Sequence, residues 1–146
     1  GGGGLVSTAA DYLRFAAMLL NGGELDGARL ISPMMVRLMT ANHLPDGQDL
    51  TQMSRSLFSE STSAGVGFGL GVSVVIDPAK TLIPCSLGEY AWGGAASTAF
   101  WVDPVEEISA VLMTQLLPST AYPIRRELRT LVYSALVDPN RVAPHR

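Results

Sequence analysis

"EYAWGGAASTAFWVDP" (residues 89–104) is the stretch on which the fold turns. Its residues alternate as a strand does, and Asp103-Pro104 closes it, because proline cannot donate to a sheet ladder. Trp92, Phe100 and Val102 fall on one side of that alternation, which predicts a strand over 89–102 with its later half anchored in a core. Gly93, Gly94, Ala95, Ala96 and Ser97 leave the middle almost bare. Glycine inside a strand marks a bulge, a close crossing by another segment, or the approach of a ligand. A strand edge free of side chains also suits one chemical task, presenting a backbone N–H to a developing oxyanion. The residues by themselves leave packing and ligand approach both open.

The period of two recurs upstream. Val66, Phe68, Leu70, Val72, Val74 and Ile76 point one way, and Gly67, Gly69, Gly71 and Ser73 the other, which predicts a strand over 66–76 ended by a turn at Asp77–Lys80. The glycine ladder over 65–71 reads as close packing rather than a cofactor cradle. Downstream, Glu107–Leu116 predicts a third strand, apolar on both faces and therefore central or covered twice, with Pro118 as its stop. Three strands over 66–116 joined by short connections should be antiparallel neighbours.

Helices flank this block. Thr8-Ala-Ala-Asp11 has the form of a capping box, and Tyr12, Phe15, Ala16, Leu19 and Leu20 follow at helical spacing up to the stop at Asn21-Gly22-Gly23. Ser32-Pro33 starts a second helix that runs to about Asn42, so the pair occupies 8–42. Residues 44–65 form a polar loop, placed by its character as a border of a substrate entrance. A closing helix over 122–137 sets Ile124, Leu128, Leu131, Val132 and Ala135 on one side, with Arg125, Arg126 and Arg129 read as its wet face. The fold class is α+β, an antiparallel sheet covered by helices.

Composition excludes several functions. Apolar residues make up 47% of the 146 and charged residues 16%, a balance that favours a packed core over disorder. A formal charge of −3 argues against nucleic-acid partners. No apolar run reaches the roughly 18 residues of a membrane span, and no leader is visible, which leaves the compartment open between bacterial cytoplasm and periplasm. Cys85 is the one cysteine, so no disulfide forms within the chain, and it reads as buried filler. His43 reads as helix-end surface. With His145 the only other histidine and no carboxylates at ligand spacing, no metal is expected. Gly1–Gly4 lacks the Lys-Ser/Thr of a phosphate loop, and no G-x-S-x-G is present. No cofactor is expected. Because the chain opens with Gly1 in a glycine run, it reads as the C-terminal piece of something larger.

The whole chain resembles the C-terminal part of a serine β-lactamase-like hydrolase, closest to the class C-like group that includes family VIII carboxylesterases and penicillin-binding relatives. "GGGGLVSTAADYLRFAAMLLNGGELDGARLISP" (1–33) resembles that family's helix pair, "GFGLGVSVVIDP" (67–78) the strand after it, and "YAWGGAASTAFWVDP" (90–104) its third motif. The resemblance implies an acyl-enzyme hydrolase of small-molecule esters or β-lactams, in which a serine of S-x-x-K is the nucleophile and a tyrosine of Y-x-N assists proton transfer. It also implies that Trp92-Gly93-Gly94 stands where K-T-G would be, and that the N–H of Ala95 is one arm of the oxyanion hole. Trp92, Gly93, Gly94, Ala96 and Ser97 would then contact substrate. No serine here has a lysine three residues on, Lys80 being the only lysine, and no tyrosine has an asparagine two residues on. The nucleophile-bearing segment is therefore expected upstream, as this piece's partner within one protein, and the piece alone is expected to be inactive. Tryptophan in place of the motif's lysine removes a cation suited to a substrate carboxylate and predicts a preference for neutral esters. A non-catalytic β-lactamase-like binding or assembly protein is the alternative, and a self-standing sheet domain a weaker one.

Overall fold

The computed structural model describes residues 5–53 and 63–139. Gly1–Gly4, the part of the polar loop over 54–62 and His145 lie outside the described residues. Thr8 caps α1 (Ala9–Leu20), its hydroxyl oxygen accepting from the Asp11 N–H at 3.1 Å, as the capping box requires. A short hairpin of β1 (Glu24–Leu25) and β2 (Ala28–Arg29) leads to α2 (Pro33–Met39), which Ser32 caps through the Met35 N–H. A 3-10 turn (Pro45–Gly47) and α3 (Leu50–Met53) follow.

The sheet is a five-stranded antiparallel meander of β3 (Val66–Phe68), β4 (Ser73–Val75), β5 (Tyr90–Gly93), β6 (Ala99–Asp103) and β7 (Ile108–Leu112). The short helix α4 (Pro78–Thr81) joins β4 towards β5, and α5 (Ile124–Ser134) closes the chain. Two of the three expected strands are thus hairpins. Residues 66–76 fold back at Leu70-Gly71, where the Gly69 N–H donates to the Val72 carbonyl at 2.7 Å and Gly71 takes φ +91°. Residues 89–103 fold back at Gly94–Thr98, setting Tyr90 opposite Val102 and Trp92 opposite Phe100. Partners across an antiparallel pair share a face, so the alternation runs through the second corner but not the first: Val66 and Phe68 lie opposite Val75 and Ser73, and Val74 lies opposite Gly67, which splits the expected one-sided apolar row of 66–76 between the two faces. The third expected strand is β7, which ends the meander among the described residues rather than lying at its centre. Its apolar pattern reports the cover on its faces and not its neighbours.

Gly67 and Gly69 are small for packing reasons, as the ladder suggested. A Cβ on Gly67 would stand 2.4 Å from the Asn42 side chain, and one on Gly69 2.0 Å from the Met39 carbonyl. Asn42 ties this edge together, accepting from the Phe68 N–H and donating to the Gln48 carbonyl.

One face of the sheet carries the apolar core. Ala16, Met18 and Leu19 of α1 pack with Val72, Val74, Tyr90, Phe100 and Val102. The opposite face holds Trp101, Glu89 and Asp103, each fully or almost fully buried, beneath α5. Here the reading of α5 is corrected. Arg125 and Arg129 are not a wet face: they reach the sheet and its hairpin, while Leu131 is 68% exposed. The helix uses its i, i+4, i+8 row of Arg125, Arg129 and Tyr133 as the packed side, because buried carboxylates wait there.

Candidate active site

Trp92, Gly93, Gly94 and Ala95 carry β5 into its turn, so the bare stretch is a hairpin mouth. The Gly94 N–H donates to the Thr98 carbonyl at 2.9 Å, and the Ser97 N–H to the Gly94 carbonyl at 3.1 Å. Gly93 has no room for a side chain without moving backbone, whereas at Gly94 only the rotatable Thr98 hydroxyl stands in the way. A Cβ on Gly93 would lie 2.8 Å from the Thr98 carbonyl oxygen and 3.1 Å from Arg125 Cζ, and one on Gly94 2.6 Å from Thr98 Oγ1. Ala95 is exposed at the turn, and its N–H has no acceptor among the described residues.

Trp92 stands beside this turn, 49% exposed, with its ring edge-to-face on Phe68 at 4.9 Å between centroids. Ala96 is half-buried, its carbonyl accepting from the Leu116 N–H at 3.1 Å. Ser97 is fully buried at φ +69°, and its hydroxyl donates to the Leu116 carbonyl at 2.9 Å, so its side chain is turned away from the surface. Of the candidate residues, Trp92, Gly93, Gly94 and Ala95 gather at the mouth, while Ala96 and Ser97 pin the turn from behind.

Three groups missed by sequence reasoning support this arrangement. Arg125 donates from Nη2 to the Gly94 and Thr98 carbonyls at 2.5 and 3.1 Å, and from Nε to the Ser97 carbonyl at 3.3 Å. Below the hairpin, Arg129 pairs with Glu89 and lies over the Trp101 ring at 5.5 Å. Tyr133 Oη bridges Glu89 Oε2 at 2.5 Å and Asp103 Oδ2 at 2.6 Å. Burial, joined by the Asp103 hydrogen bond and charge, pushes the Tyr133 phenol well above its ordinary value, and burial lowers Arg129. A signal existed in the sequence: a hairpin centred at residue 96 sets Glu89 against Asp103, and two like charges so placed need a cation.

A separate polar cleft of about 510 Å³, lined by Asp46, Asp49, Gly65, Asp77 and Lys80 among others, lies at the far end of β3 and β4 from Phe68 and Trp92. The Asp49 carboxyl is held below its ordinary value by the Thr51 hydroxyl and then the Gly65 N–H. The described part of the polar loop contributes Asp46, Asp49, Gln52 and Gly65 to this cleft. His43 is spent locally, its Nε2 2.7 Å from the Leu38 carbonyl oxygen.

An antiparallel meander with an apolar helix layer on one face and a closing helix on the other is the architecture of the β-lactamase/transpeptidase-like fold. The chain belongs to the beta-lactamase family, whose family model matches residues 1–134. It is 43% identical over 120 residues to "Uncharacterized protein MT1414" of Mycobacterium tuberculosis (strain CDC 1551 / Oshkosh) and equally to "Protein Rv1367c" of M. tuberculosis (strain ATCC 25618 / H37Rv). Each match covers 80% of this chain and 29% of the relative, so the chain spans under a third of the curated relatives it matches.

Among solved structures it is similar to EstCE1, a hydrolase with promiscuous acyltransferase activity (TM-score 0.67, 24% identity, 87% of this chain and 30% of that one). It is also similar to the LovD9 mutant of simvastatin synthase (LovD) from Aspergillus terreus (TM-score 0.70, 20% identity, 88% and 34%). A penicillin-binding protein homolog from Caulobacter crescentus matches at TM-score 0.64 and 20% identity, over 89% and 32%. At these identities the structures establish the fold.

Proposed function

We propose that this chain is the C-terminal portion of a serine hydrolase that cleaves neutral esters through an acyl-enzyme, and that the Ala95 N–H is one arm of its oxyanion hole. The observation that carries the reading is that exposed N–H, left without an acceptor among the described residues at the turn of the β5–β6 hairpin. A donor aimed at the developing oxyanion is worth about 2.7–4 kcal/mol of transition-state stabilisation. The second arm would be the N–H of the nucleophile itself. With no S-x-x-K or Y-x-N in this sequence, the serine and its bases would come from residues outside it. The likeness to EstCE1, a hydrolase with promiscuous acyltransferase activity, supports acyl chemistry on this fold.

Trp92 decides the substrate. An indole beside the acyl site offers an apolar face and one donor, where a lysine would offer a cation to an acidic β-lactam. Hydrolysis of a short p-nitrophenyl ester by the full-length protein carrying this segment should exceed its hydrolysis of a chromogenic cephalosporin. A clear preference for the cephalosporin would overturn the assignment.

A further inference from the structure

We infer that Arg125 is a positioning residue for that donor, acting through the peptide that joins Gly94 to Ala95; the inference rests on the assignment of Ala95 above. The Gly94 carbonyl and the Ala95 N–H belong to one peptide group. A trans peptide is planar, so its C=O and N–H point in opposite directions. Arg125 Nη2 holds the carbonyl end at 2.5 Å, and the N–H end is thereby directed outward, to the side where it has no acceptor among the described residues.

The guanidinium does more than orient. Its rigid fork spans three successive turn carbonyls, those of Gly94, Ser97 and Thr98, so the whole turn is referenced to one planar group. A charge-assisted bond to a carbonyl polarises the amide and strengthens its N–H as a donor. Arg125 also sits in the first turn of α5, where a cation opposes the helix dipole, so its placement serves the hairpin rather than the helix. Gly93 completes the argument, since an ideal Cβ there would stand 3.1 Å from Arg125 Cζ and Nη2. The bare motif makes room for the guanidinium behind the turn.

The test uses the full-length protein and a neutral p-nitrophenyl ester. Arg125→Ala should lower kcat about 10- to 100-fold, the cost of a slightly misdirected catalytic group, with KM changed by less than about twofold, since only the transition state uses the bond. The Ala95 amide proton should move upfield in the same variant, a readout independent of activity. Arg125→Lys should recover part of kcat, and this variant serves where Arg125→Ala does not fold. A raised KM with unchanged kcat would mean that Arg125 binds substrate directly, and would overturn the inference; so would an unchanged kcat and amide shift. Ala95→Pro, or lactic acid in place of Ala95, deletes the N–H itself. If those variants fold and keep kcat, the oxyanion assignment fails. If they lose it while Arg125→Ala does not, the assignment stands and the positioning role fails.

Discussion

On one face of the sheet, Ala16 and Leu19 of α1 share a core with Phe100, Val102 and Val74, with Tyr12 tilted against the Phe100 ring and Phe15 edge-on to it at 5.2 and 6.4 Å between centroids. On the other, α5 stands on Glu89 and Asp103, both at 0% exposure, and reaches them with Arg129 and Tyr133. The first face is held by area removed from water and tolerates apolar exchanges that conserve volume. The second is held by charges that have lost their water and therefore need these partners in this geometry. The difference matters for function because α5 also supplies Arg125. By holding Arg129 and Tyr133, the polar face anchors the helix whose first turn carries Arg125 to the hairpin.

The contrast can be broken from either side. Phe100→Ala, which empties the centre of the apolar face, should cost about 4 kcal/mol of unfolding free energy in chemical denaturation. Arg129→Ala should cost about 3 kcal/mol, because it strands buried carboxylates. The two losses differ in how they are repaired. Replacing Glu89 and Arg129 together, as Glu89→Leu with Arg129→Met, should recover most of the Arg129→Ala loss, whereas no second change of charge helps Phe100→Ala. A double variant no more stable than Arg129→Ala would mean the polar face is held by something other than its ion pair.

A smaller effect follows from titration. Cys85, Tyr90 and Tyr133 are all raised, burial being the first cause, from ordinary values of 9.0 for the thiol and 10.0 for the phenols. As pH climbs past those values the unfolded chain releases protons that the fold retains, so stability falls. The melting temperature should decline as pH rises above about 9. Tyr133→Phe should cost about 1–2 kcal/mol near neutrality and make the alkaline decline shallower. An unchanged slope in that variant would remove Tyr133 from the account.

The apolar face was legible in the sequence because its signals are local. The Thr8 cap, the Tyr12–Leu20 row and the glycine stop need no knowledge of the rest of the chain. The hairpins were not legible, since Leu70-Gly71 and Gly94–Thr98 continue the same alternation that a straight strand would show. The polar face was hidden for a related reason: Glu89 and Asp103 become neighbours only once the turn between them is known, and charged residues on a helix are solvent-facing by default. The site divides the same way. Trp92-Gly93-Gly94-Ala95 stood out by its glycines and its family resemblance, while Arg125 lies 31 positions from Gly94 and nothing between them announces the contact.

The central claim, that the Ala95 N–H receives the oxyanion, is tested most directly by the structure of the full-length protein with an aryl boronic acid bound at its nucleophile. The account predicts a boronate oxygen about 2.7–3.1 Å from the Ala95 nitrogen, with Arg125 still on the Gly94 carbonyl. A boronate whose oxygens both lie away from the β5–β6 turn would contradict it.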